Sequence, residues 1–207
     1  DDHPDTITAI SNLAVALNNL LMYKDALTLE QWVLEKSRVI LGDDHPDTII
    51  AMSNLAITLG NSGKHDEALE LNQQVLEKRR LVFGDNHPDT LNAMNRLAIT
   101  LGNLGRHNDA LELKQQILEK RRIILGDDHP DTIDAMTNLA CTLDNLCKYE
   151  DTLQLMLQAL EKSRAILGDD HPVTIKAVNS LTIALDDLGK YDDALKLKQQ
   201  VLEKRRV

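Results

Sequence analysis

The residues best suited to chemistry recur at one interval. His-Pro-Asp stands at 3–5, 45–47, 87–89 and 129–131, and becomes His-Pro-Val at 171–173; Asp or Asn precedes every copy. Histidines flanked by carboxylates are metal-ligating types. Copies one repeat apart are too distant to share an ion, no Cys/His pair has zinc spacing, and the Asp pairs lack the alternating oxygen ligands of a calcium loop. The segments read instead as helix caps and solvated turns. Arg79-Arg80, Arg121-Arg122 and Arg205-Arg206 could engage phosphates, but each pair falls near the end of a predicted helix, where the dipole favours cations. No Ser/His/Asp grouping or phosphate loop stands out, because every candidate recurs with the period. The expectation is a protein that is not an enzyme, with no metal and no cofactor.

Those motifs need a frame, and the period supplies it. Asp-rich segments begin at Asp1, Asp43, Asp85, Asp127 and Asp169, 42 residues apart, dividing the 207 residues into copies 1–42, 43–84, 85–126, 127–168 and 169–207. A fixed period in this range signals stacked repeats. Copies two and three are identical at 28 of 42 positions.

Composition narrows the class. Hydrophobic residues make up 43% and charged residues 27%, ordinary for a folded chain. Aromatics are 2%, so the core must be aliphatic, and the stacking platforms used on single-stranded nucleic acid are missing. A net charge of −10 argues against a general phosphate-binding surface, so nucleic acid is not an expected partner. The longest apolar runs, such as Leu13 to Leu17, fall far short of the ~20 residues that span a bilayer. No leader is visible. Cys141 and Cys147 would lie on different faces of one helix, so a disulfide is not expected, and a reducing, cytoplasmic setting fits. The missing initiator Met and an end inside a repeat point to a piece of a longer chain.

Within copy two, Met52, Leu55, Ala56 and Leu59 follow helical spacing, which predicts a helix over Pro46 to Asn61. Pro46 suits the first turn, with His45 or Asp44 as cap. Asn61-Ser62-Gly63-Lys64 breaks the chain. A second helix is predicted from His65 to Phe83, burying Ala68, Leu71, Val75, Leu76, Val82 and Phe83 and ending at Gly84.

Asn54-Leu55-Ala56, Leu59, Gly63-Lys64 and Ala68-Leu69 together resemble a tetratricopeptide repeat, whose usual length is about 34 residues. The longer period and the Leu125-to-Thr132 joint resemble the 42-residue type found in kinesin light chains and in the C-terminal arrays of NLR-like ATPases. The resemblance spans the whole chain. It implies an all-α, right-handed α-solenoid of five helix-turn-helix repeats. The sequence departs from the family pattern locally: Ile10, Met52, Met94, Met136 and Val178 stand where Trp is frequent. Leu21 and Cys147 replace the turn Gly, and Thr152 and Thr182 replace small Ala residues.

At 100° per residue, Ile50, Asn54, Ile57 and Asn61 form one stripe opposite Met52, Leu55 and Leu59. The resemblance implies that this stripe lines a concave groove. Its first column reads Thr8, Ile50, Asn92, Asp134, Lys176, and its second Asn12, Asn54, Arg96, Asn138, Ser180. The third reads Val15, Ile57, Ile99, Cys141, Ile183, and the fourth Asn19, Asn61, Asn103, Asn145, Asp187. Asn offers both donor and acceptor groups, so Asn columns can hold a main chain of any sequence. The aliphatic column gives an apolar floor, and the variable column and Arg96 would add specificity. With only Arg96 and Lys176 as groove cations, a carboxylate clamp is not expected. Asp134, Asp144, Asp186 and Asp187 favour a neutral or partly basic segment.

The expected function is therefore a protein-binding scaffold that takes an extended peptide segment. The alternative is a self-associating spacer whose uncapped ends stack into a homo-oligomer. An ATPase-linked role would require a nucleotide domain elsewhere.

Overall fold

Proline and glycine punctuate the chain, and the helices start and stop where they do. The computed structural model describes residues 3–204; Arg205, Arg206 and Val207 lie outside them. The described residues form helices only and fall into two compact units, one running through Arg106 and the other beginning at His107.

The first unit holds α1 (Pro4–Asn19), α2 (Tyr23–Leu41), α3 (Pro46–Asn61), α4 (His65–Phe83) and α5 (Pro88–Asn103). The second holds α6 (His107–Leu125), α7 (Pro130–Asn145), α8 (Tyr149–Leu167), α9 (Pro172–Asp187) and α10 (Tyr191–Lys204). Within each unit every helix packs on its neighbours along the chain. Odd-numbered helices are the first of each repeat and even-numbered helices the second.

Each odd helix starts the same way. His45 Nδ1 accepts the Asp47 amide at 3.2 Å, which settles the cap on His45 rather than Asp44. Pro46 opens the helix, where its missing N–H would have had no partner. The turn into α4 uses Gly63 at φ 83°, a conformation that costs a residue with a Cβ. Lys64 N–H then closes onto the Leu59 carbonyl at 2.9 Å. At the joints between repeats an arginine reaches the first Asp: Arg38–Asp43 at 2.9 Å, Arg80–Asp85 at 3.0 Å, Arg122–Asp127 at 3.0 Å and Arg164–Asp169 at 2.8 Å. The second arginine of each described Arg-Arg pair is thus engaged here, and the first, Arg79 or Arg121, donates to the Asp89 or Asp131 carbonyl.

The core is aliphatic, and methionine fills its deepest layer. Met52, Met94 and Met136 are fully buried at the positions where the family resemblance leads one to look for Trp. Burying a side chain of this size contributes roughly 1.5–3 kcal/mol. Ala68, Val75 and Leu76 of α4 are buried as their spacing requires, and Leu71 is half-buried. Val82 and Phe83, expected on the same buried side, are exposed instead. They occupy the last turn, beside the Asp-rich joint, and Phe83 stacks on His87 with ring centroids 4.7 Å apart. The threonines that replace alanine turn their hydroxyls onto carbonyls: Thr152 donates to Lys148 O at 3.0 Å and Thr182 to Val178 O at 2.8 Å.

Candidate functional site

The outward stripe of the odd helices differs in character between the two units. In the first unit α1 contributes Asn12, Val15 and Asn19; α3 contributes Ile50, Asn54, Ile57 and Asn61; α5 contributes Asn92, Arg96, Ile99 and Asn103. None of these is buried. Ile50 and Ile99 are 48% and 49% exposed, whereas Met52 and Met94 on the opposite side are at 0%, so the angular assignment of the stripe holds. Asn61 donates to Asn18 at 3.1 Å and is spent on its neighbour helix. Among the described residues the side chains of Asn12, Asn54, Asn92 and Arg96 make no hydrogen bond or ion pair. Partial burial, and then the nearby Arg79 guanidinium, pull the Arg96 pKa below its usual value; the group stays cationic.

A cavity of about 320 Å³ opens beside this stripe between α1, α2 and α3. Val33, Ser37, Ile40 and Ile50 help to wall it, and Asn12, Asn54 and Asp47 lie along it. Its volume is at the small end of the ~300–1,000 Å³ found for ligand pockets.

In the second unit the stripe is knitted together. Lys176 on α9 reaches Asp134 at 2.7 Å and the Asn138 side-chain oxygen at 2.8 Å, and Asn138 donates to Asp134 at 2.9 Å. Lys114 enters from α6 and donates to the Asn138 carbonyl at 3.0 Å and the Thr142 hydroxyl at 2.6 Å. Burial lowers the pKa of Lys114, with Cys141 opposing that shift and Lys176 adding to it. Asn145 and Ile183 are exposed. Asp186 is taken by Lys198 at 3.0 Å. That leaves Asp144 and Asp187, and burial followed by the Asp187 charge raises the pKa of Asp144. The acidity expected of this half is thus partly neutralised by lysines. Lys198, which pairs with Asp186, and Lys114, which bonds the Asn138 carbonyl and the Thr142 hydroxyl, come from even-numbered helices that the stripe left out.

A metal-binding grouping of three or more His, Cys, Asp or Glu side chains does not occur among the described residues. Nor is any described helix long and apolar enough to cross a membrane.

Paired helices repeating at a fixed interval, with a varied outward stripe on the first of each pair, define the class of helical-repeat scaffolds. The tetratricopeptide repeat model matches residues 5–80, 59–122, 97–161 and 145–206, and the chain belongs to that family. Among solved structures it is similar to a protein of Podosopora anserina with nearly identical TPR-like repeats of the kinesin light chain kind. A point variant of that protein superposes with a TM-score of 0.85 at 22% identity, covering 99% of each chain. It is also similar to BtubC (BKLC) from P. vanneervenii, with a TM-score of 0.77, 18% identity, and coverage of 95% of this chain and 78% of that one. A Rap protein complexed with competence and sporulation factor gives a TM-score of 0.73 at 15% identity, covering 94% of this chain and 52% of the other. A search of curated proteins finds no match. At these identities the likenesses define the fold.

Proposed function

We propose that the chain is a non-catalytic scaffold that binds an extended peptide segment along the stripe of α1, α3 and α5. One observation carries this reading. Among the described residues Asn12, Asn54, Asn92 and Arg96 are unpaired and stand beside exposed Ile50 and Ile99, whereas the corresponding groups of α7 and α9 are tied to one another. Unpaired amides can take both the N–H and the C=O of a passing main chain. The exposed isoleucines offer apolar contact to its side chains. The family's general role in protein–protein interaction supports the reading, as does the Rap protein of this fold complexed with competence and sporulation factor.

The test is a displayed peptide library panned on the wild type and on the Asn54→Ala/Arg96→Ala double variant, with circular dichroism to verify that the variant is folded. A shared motif that enriches on the wild type and is lost on the variant supports the site. Enrichment that survives the double substitution, or none on either protein, ends this reading.

A further inference from the structure

We propose that the cavity between α1, α2 and α3 receives an arginine side chain of the bound peptide; the assignment rests on the peptide-binding reading above. The chain's other junctions state the rule. Forty-two residues after Ser37 stands Arg79, whose side chain is only 14% exposed. Its Nη1 donates to the Asp89 carbonyl at 2.8 Å and lies 3.7 Å from the Asp89 carboxylate. One repeat further, Arg121 Nη1 donates to the Asp131 carbonyl at 2.6 Å. In the last junction both partners change together: Ser163 replaces the arginine and Val173 replaces the aspartate. Arginine thus goes with aspartate twice, and serine goes with valine once.

The first junction breaks this pattern. Ser37 has replaced the arginine, yet Asp47 has kept the aspartate. Where Arg79 fills the second junction, the first holds the cavity of about 320 Å³, with Ser37 in its wall and Asp47 at its edge. Among the described residues the Asp47 carboxylate meets only the His45 ring, at 3.8 Å. That ring nitrogen already accepts the Asp47 amide at 3.2 Å, so in neutral His45 it has no proton for the carboxylate. Val33, Ile40 and Ile50 suit the methylene stem of an arginine. The carboxylate and carbonyl of Asp47 suit its forked guanidinium. Asn12 and Asn54 stand alongside to hold the flanking main chain. The chain's net charge of −10 favours a cationic occupant over an anionic one.

The experiment is an NMR titration of the whole chain, methyl-labelled at Ile, Leu and Val, with four blocked amino acids: N-acetyl methylamides of arginine, citrulline, lysine and leucine. Arginine should move the Ile50, Ile40 and Val33 methyls, and neutral citrulline should bind about tenfold more weakly or not at all. Ser37→Arg and Asp47→Val should each abolish the response. Both substitutions install residues that other junctions of the same chain carry, so folding is expected to persist, and the unchanged methyl spectrum outside the cavity verifies it. Equal shifts from citrulline or leucine would make the cavity a plain apolar pocket and overturn the assignment. Equal shifts from lysine would overturn the guanidinium, and silence from all four would overturn the site.

Panning the same library on Ser37→Arg separates this inference from its parent. A motif without arginine, enriched alike on wild type and variant, leaves the peptide reading standing and sinks the cavity assignment. No enrichment on either protein sinks the peptide reading, and the titration alone then decides the cavity.

Discussion

The Lys114 ammonium donates to the Thr142 hydroxyl across 2.6 Å, from the second helix of one repeat to the first helix of the next. The same step of 28 residues joins Thr58 to the Glu30 carboxylate at 3.0 Å, and Asn72 to Thr100 at 3.0 Å. Where the first-helix partner becomes Ala184, the second-helix residue becomes Met156, and both are 1% exposed. At this register the polar residues, buried Glu30 and Asn72 and half-buried Lys114, each face a threonine, and the apolar Met156 faces an alanine. Burying an unpaired polar group costs more than a satisfied pair gains, so this ladder penalises a junction that sets Glu30, Asn72 or Lys114 against the alanine of α9.

Glu30 is the member of the ladder with a visible cost. It is 3% exposed, and its Oε2 has no hydrogen-bond partner. Burial raises its pKa, against the hydrogen bond from Thr58, which lowers it. A raised carboxylate pKa means that the folded state holds the proton more tightly than the unfolded chain. Stability at this site is greatest below the ordinary Glu range and falls as pH rises through the folded pKa. Glu30→Gln keeps an acceptor for Thr58 and removes the charge. Thermal unfolding should therefore show the variant more stable than wild type at pH 7, by on the order of 1 kcal/mol, with the difference shrinking toward acid pH. A variant equally stable or weaker at pH 7 would contradict this account.

The Met156–Ala184 step can be rewritten. Met156→Lys alone would bury an ammonium opposite a methyl and should cost about 3 kcal/mol or more. Adding Ala184→Thr recreates the Lys114–Thr142 pair and should return about 1–2 kcal/mol of that loss. Urea denaturation of the two single variants and the double variant gives the coupling energy. A coupling near zero would mean that the pairing does not set this junction.

Much of the fold was legible because its signals are local. Pro46, Gly63 and Gly84 mark helix starts and stops through backbone constraints that need no partner, and the 3.6 periodicity assigned Met52 and Ile50 to opposite sides. Val82 and Phe83 were misread because periodicity cannot tell that a helix's last turn has run past its neighbour. The stripe's position was legible, but its state was not. Whether the Asn138 side chain is free depends on Lys176, 38 residues away in the next repeat, as well as on Asp134 one turn before it. Residues 30, 72, 114 and 156 did carry a signal, since Glu, Asn, Lys and Met succeed one another there amid aliphatic neighbours.

Leu21 and Cys147 sit at φ 62° and 56°, where the other repeats place Gly63, Gly105 and Gly189. A left-handed residue with a Cβ costs roughly 1–2 kcal/mol, offset in part by the extra freedom that glycine has in the unfolded chain. A Cβ built on Gly63 meets nothing within 4 Å, so the cost at this turn lies in the dihedral and not in crowding. Leu21→Gly and Cys147→Gly should each stabilise by about 0.5–1 kcal/mol, seen as a rise of roughly 2–3 °C in calorimetry. No change at either position would place the strain elsewhere.

Asn54 and Asn138 occupy the same column of first helices, and their contacts predict opposite roles. Asn54 has no partner among the described residues, so Asn54→Ala should leave stability within about 0.5 kcal/mol of wild type. Asn138 donates to Asp134 at 2.9 Å and accepts from Lys176 at 2.8 Å. Asn138→Ala should therefore lower stability by about 1 kcal/mol, a modest value because the Lys176 and Asp134 side chains beside it are 42% and 34% exposed and so screened. Urea unfolding separates the two. If Asn54→Ala destabilises as much as Asn138→Ala, Asn54 holds the fold instead of waiting for a ligand, and the proposed site contracts to Arg96 and the cavity. If it is neutral and still abolishes capture of an enriched peptide, its free amide is what the peptide needs.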